Sequence, residues 1–111
     1  MEIPEYLPEE AMRYIDKLGN TDEDIRISLW DLGIKGVPGY IRFCAIAEYL
    51  NTMLPGYIWI VNPVFLTVMS ENQSDFKRVN LPFHVGHFVR RFDGHEYPEL
   101  ERPITEEEHE L

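Results

Sequence analysis

One cysteine, Cys44, leaves this chain unable to close an internal disulfide, and that excludes the small secreted scaffolds held together by several bridges. With Phe43, Ala45, Ile46 and Ala47 around it, the thiol is expected to be a small buried hydrophobe rather than a nucleophile. Bases are scarce, with 10 Lys and Arg against 20 Asp and Glu, for a net charge of −10 at pH 7. An acid excess of that size opposes binding of the whole molecule to a long nucleic acid. Missing too is the basic segment followed by an apolar run that marks a signal peptide, which makes a cytoplasmic setting the expectation. The uncharged stretch from Tyr49 to Ser70 approaches the length of a membrane span, but Pro55, Gly56, Asn62 and Pro63 interrupt it. β-Branched and aromatic residues crowd between those breakers, so the stretch reads as two buried strands with no membrane contact.

Apolar residues make up 44% of the 111, enough to build the core of one domain without help from a metal or a disulfide. Charge is sorted into blocks along that domain. Residues 1 to 24 carry −6, 25 to 75 carry −1, 76 to 92 carry +4 with no acid, and 93 to 111 carry −7. Like charges gathered on one side of a molecule create a field that steers charged partners.

Pro8, Glu9 and Glu10 open a first helix, Ala11, Ile15 and Leu18 give it an apolar face, and Gly19 closes it. Thr21 followed by Asp22, Glu23 and Asp24 has the form of an N-cap with an acidic first turn. Ile25, Leu29 and Leu32 then keep a helical period, although Ile25, Ile27 and Leu29 alternate as a strand would. Gly33, Gly36 and Gly39 punctuate a connector, and a long central helix is expected from Pro38 to Leu54. Strands are expected at Tyr57 to Val61 and Val64 to Met69, with a further short one at Phe76 to Leu81. From Pro82 to Phe92 both periods fit, but a helix separates Val85, Phe88, Val89 and Phe92 from His84, Gly86, His87, Arg90 and Arg91. The expected architecture is a single helix-rich α+β domain over residues 1–97, a central helix packed on a small sheet, followed by an acidic C-terminal tail, 98–111. Leu100 and Ile104 would anchor that tail while Glu106, Glu107 and Glu108 answer Arg90 and Arg91, and its removal is expected to leave the fold intact.

Reactive constellations are thin. His84 and His87 share one helix face, but two imidazoles alone fall short of a tetrahedral metal site, so neither metal nor cofactor is expected. Ser28, Ser70 and Ser74 occupy no nucleophile elbow, and Asp31, Glu48, Asp93 and Glu96 cannot be paired by sequence among so many carboxylates. Gly33-Ile34-Lys35-Gly36 has the GxxG form of loops that clamp a nucleic-acid backbone, yet with its one base it reads as a flexible connector. The favoured reading is a non-catalytic protein-binding module. Its acidic face, Glu9, Glu10, Asp16, Asp22, Glu23 and Asp24, would meet a basic partner, with Tyr6, Tyr14 or Trp30 as hot spots. One version is an inhibitor or immunity-type protein that offers carboxylates where a nucleic-acid-processing enzyme expects phosphates, and another is an adaptor or assembly protein whose partner is unrelated to nucleic acid. A secondary basic face, Lys77, Arg78, His84, His87, Arg90 and Arg91, would be masked by the tail, so that the full chain binds no nucleic acid directly. The alternatives are nucleic-acid binding through the basic helix at 82–92 and a small metal-dependent enzyme. A homo-oligomer is compatible with all of these.

Overall fold

A computed structural model describes residues 3–111. Among them are helices α1 (Leu7–Asp16), α2 (Asp22–Asp31) and α3 (Ala45–Met53), strands β1 (Ile58–Val61), β2 (Phe65–Met69) and β3 (Phe76–Asn80), then α4 (Phe83–Asp93) and α5 (Glu106–His109). A short 3-10 turn, Pro98–Leu100, lies between the last two. The expected α+β architecture is present, with the strands in one antiparallel sheet of order β1-β2-β3. None of the described helices is long and apolar enough to cross a membrane.

Local chemistry accounts for most boundaries. Thr21 is extended and its hydroxyl accepts the backbone N–H of Asp24 at 3.1 Å, so the capping pattern sets the start of α2. Asn62 turns the chain between β1 and β2, its Oδ1 accepting N–H groups from Val64 (2.8 Å) and Phe65 (2.7 Å). Trp59, Val61, Leu66 and Val68 face inward from the sheet and pack with Ile15, Ile25, Leu29, Ile46, Leu50, Phe88 and Phe92 in one core. Trp59 is buried complete with its polar end, because the indole N–H donates to the Leu54 carbonyl at 3.0 Å.

The central helix is shorter than expected. Residues 38 to 44 form turns, with Gly39 at φ 81° and the Val37 N–H bonded to the Phe43 carbonyl at 2.7 Å, and α3 begins at Ala45. Gly36 lies close against the backbone at the start of α3. A Cβ there would sit 2.3 Å from Ala45 N and 2.5 Å from the Cys44 carbonyl carbon. Gly36 is therefore a buried packing position and not the flexible connector its motif suggested. Gly86 is likewise turned inward, away from the solvent face of α4 where the helical wheel had put it, and touches the Pro63 carbonyl.

The acidic C-terminal segment is stitched to the body. Leu100 is fully buried, and Gly36 pairs with this segment through Gly36 N–H to Leu100 O (2.8 Å) and Arg102 N–H to Gly36 O (2.9 Å). Arg102 then forks onto both carboxylate oxygens of Glu108 at 2.7 Å and reaches Glu48 of α3 at 2.9 Å. Glu108 thus answers Arg102 rather than Arg90 or Arg91. Thr105 and Glu108 also form a capping box around α5.

This guanidinium holds the Glu108 carboxyl down to about 2, from an ordinary value of 4.5. Because the folded value is the lower one, the clasp stabilises fully above the ordinary value and is lost as pH falls from 4.5 toward 2. Acid titration followed by amide exchange should show α5 opening in that window ahead of the core. Exchange in α5 that stays constant down to the global acid transition would contradict it.

Candidate protein-binding surface

The structure joins one nominated acid to two nominated bases. Asp22, at the first turn of α2, leaves the acidic surface and turns toward α4, where it meets His87 Nδ1 at 2.6 Å and Arg91 Nη1 at 3.0 Å. Arg91 also reaches Glu96 at 3.1 Å and lies over the Tyr97 ring at 5.4 Å, so the hydrogen bonds of Asp22 and then Glu96 raise its already high pKa. His84 Nε2 lies 3.2 Å from the Gly19 carbonyl. His84 and His87 are thus held by different partners. Among the described residues no group of three or more His, Cys, Asp or Glu is placed to hold a metal ion.

Lys77 and Arg78 are neighbours on β3 and point to opposite sides of the sheet. Lys77 pairs with Glu5 at 3.0 Å. Arg78 donates to Thr67 Oγ1 at 3.3 Å and covers the Phe65 ring at 5.1 Å. On α4, Arg90 is exposed to solvent. Cys44 is buried, and burial pushes its thiol up to about 12, far from a reactive thiolate.

Of the remaining nominated acids, Glu9, Asp16 and Asp24 are exposed, Glu10 bonds Arg13 at 3.3 Å, and Glu23 bonds Arg26. The Arg26 hydrogen bond holds the Glu23 carboxyl below its ordinary value. Arg26 in turn contacts Glu99 at 3.3 Å, tying α2 to the 3-10 turn.

The structure adds apolar side chains to this acidic surface. Glu23, Asp24, Ile27, Trp30 and Asp31 follow one another at three- and four-residue spacing, which lines them up along the solvent side of α2. Ile27 is 44% exposed, Trp30 53% and Leu32 48%. Ile25 and Leu29 are buried on the opposite side. The alternation of Ile25, Ile27 and Leu29 that resembled a strand is this second, outward apolar stripe. Sequence reasoning missed Ile27 and Leu32, although apolar residues spread over both sides of the helix were the available signal.

Beside the stripe lies an open cleft of about 450 Å³ between α1, α2 and α3, lined by Tyr14, Leu18, Asp31, Leu32, Tyr49 and Met53 among others. Its floor is fixed by the Tyr49 hydroxyl, which donates to the Tyr14 carbonyl at 2.7 Å. Lys17 sits 4.5 Å above the Tyr14 ring and closes one side.

Tyr97 behaves differently from Tyr49. Its ring stacks on Phe88 with centroids 5.0 Å apart, and its hydroxyl is the buried side-chain polar atom left without a hydrogen-bond partner among the described residues. Burial, reinforced by nearby Asp22, raises its pKa. An orphaned buried hydroxyl costs stability, so Tyr97→Phe should stabilise by about 1 kcal/mol. Urea denaturation measures this, and a loss of stability would mean that the hydroxyl is bonded in solution. Comparison of the chain with protein-family models, with curated proteins and with solved structures finds no match in any of the three.

Proposed function

We propose that this protein is a non-catalytic binding module that recognises a basic protein partner through α2. The observation that carries this reading is the juxtaposition of exposed Ile27, Trp30 and Leu32 with Glu23, Asp24 and Asp31 on one helix and its cleft. Exposed tryptophan in a carboxylate setting suits a protein surface that offers an apolar pocket ringed by Lys and Arg. The carboxylates set approach and register, and the buried apolar contact sets residence time. An inhibitor or immunity-type protein acting on a nucleic-acid-processing enzyme is one member of this class, because such enzymes carry basic surfaces. Apolar anchors among the acids favour recognition of a protein over simple imitation of a phosphate row.

The test is affinity capture from a native lysate with wild-type protein and two variants in parallel. Trp30→Ala should weaken binding of the captured partner roughly tenfold or more, as hot-spot tryptophans do. Reversing Glu23, Asp24 and Asp31 to lysine should slow association and flatten its salt dependence. A partner that both variants bind as the wild type does would refute α2 as the contact. Retention of the full chain on heparin, released by salt, would favour nucleic-acid binding instead.

A further inference from the structure

The cleft beside α2 differs from the rest of the acidic surface in what encloses it. Tyr14 and Lys17 belong to the last turn and end of α1, Asp31 and Leu32 to those of α2, and Met53 is the last residue of α3. Three helix C-termini therefore meet around one hollow. Each carries partial negative charge on its last carbonyl groups, and a base in the final turn is the usual counterweight. Neither α2 nor α3 has one, and the base of α1, Arg13, is taken by Glu10 at 3.3 Å. Asp31 adds a full carboxylate at the rim, exposed and without an ion pair among the described residues.

Two of the lining hydroxyls are engaged by the protein itself. Ser28 donates to the Leu18 carbonyl at 2.8 Å, and Tyr49 to the Tyr14 carbonyl at 2.7 Å. Asp31 remains as an open acceptor for a ligand that brings N–H donors. The chain shows what such a ligand would be, because the Lys17 ammonium already rests 4.5 Å above the Tyr14 ring. A tyrosine face beside negative helix ends attracts a cation, and Lys17 is the nearest one.

Resting on the partner-binding reading, we propose that this cleft receives an arginine side chain of the basic partner. The guanidinium displaces Lys17 from the Tyr14 ring and donates to Asp31, while its aliphatic stem covers Leu18, Leu32 and Met53. Arginine fits better than lysine because its planar, weakly hydrated head stacks on tyrosine and forks onto a carboxylate. At about 450 Å³ the cleft has ample room for one such side chain. The net charge of −10 favours any cation near the surface, and the three helix ends and Asp31 fix where this one goes. Lys17 is then a resident competitor that the partner must move aside.

Titration of the full chain with N-acetyl-arginine amide, followed by NMR shifts of backbone amides, tests this against N-acetyl-citrulline amide, which has the same shape without the charge. The arginine probe should shift Tyr14, Leu32, Tyr49 and Met53 in a saturable way and bind about tenfold more tightly than the citrulline probe. Asp31→Asn should weaken that binding about threefold or more. Lys17→Met keeps the length of the stem, removes the competing cation and should tighten it. Both side chains are exposed, so the fold is kept. Equal affinity for the two probes, shifts centred on Glu106, Glu107 and Glu110 instead of the cleft, or weaker binding by Lys17→Met would each overturn the inference. Loss of the arginine response with partner capture still dependent on Trp30 removes the cleft assignment and leaves α2 standing as the contact. A retained response with capture indifferent to Trp30 does the reverse.

Discussion

Gly86→Ala should destabilise the protein by about 3 kcal/mol or more, lowering its melting temperature by roughly 10 °C or beyond. The sign is the informative part. Within an exposed helix the same replacement stabilises by about 1 kcal/mol, because alanine loses less backbone freedom on folding. Gly86 lies in α4, but a Cβ there would stand 2.0 Å from the Pro63 carbonyl oxygen. That atom belongs to the backbone between β1 and β2 and cannot move aside without disturbing the Asn62 turn. The helix must therefore shift off the sheet. Gly36→Ala meets the same obstacle at the start of α3 and should also be costly. Equilibrium denaturation of Gly86→Ala decides the matter, and an unchanged or raised melting temperature would show that α4 does not approach Pro63 so closely.

Leu100→Ala should cost about 2–5 kcal/mol, the range for removing a fully buried leucine and leaving its cavity. Leu100 is 0% exposed and lies in the same core as Phe88 and Tyr97. Deletion of residues 98–111 removes this side chain, the pairing with Gly36 and the Arg102 clasp together, and should leave a chain that is no longer cooperatively folded at 37 °C. This is the opposite of what the charge pattern of the segment suggested. Deletion of residues 103–111 separates the contributions, because it keeps Leu100 and the Gly36 pairing while removing α5. That variant should lose only the modest stability of a surface ion pair and a short helix. Thermal unfolding of the two truncations supplies the comparison, and equal stability for both would contradict the role given to Leu100.

The Asp22 cluster shows how far charge blocks can mislead. Asp22 and Arg91 belong to blocks of opposite sign 69 residues apart in sequence, and the structure brings them to 3.0 Å. Each nominated face thereby loses part of its charge to the other. Glu106, Glu107 and Glu108 were the expected counter-ions of Arg90 and Arg91, since a tethered acid has a high effective concentration, but the nearby acid that Arg91 meets is Glu96. The chain instead turns back through Leu100 toward Gly36 and carries Glu108 to Arg102.

Elements whose stability is local could be read directly from the residues. Thr21 caps α2 because its hydroxyl reaches an amide three residues on, and the apolar spacing of Val85, Phe88, Val89 and Phe92 defines the buried side of α4. The β1–β2 pair follows from β-branched and aromatic runs around an asparagine that can fold its side chain onto the turn. The α+β class, the helices α1, α2 and α4 and the acidic surface on α1 and α2 were all available at that level, whereas α5 lies in a segment that reads as a tail. Tertiary structure alone decided that Gly36 packs against Cys44–Ala45 at the start of α3, because such a contact has no signature in helix propensity. It also decided which acids face solvent, whether residues 98–111 join the core, and which apolar side chains remain outside it. Ile27, Trp30 and Phe76 are no less hydrophobic than their buried neighbours. Their exposure depends on which elements pack against α2 and the sheet, and that is a property of the assembled chain rather than of any segment of it.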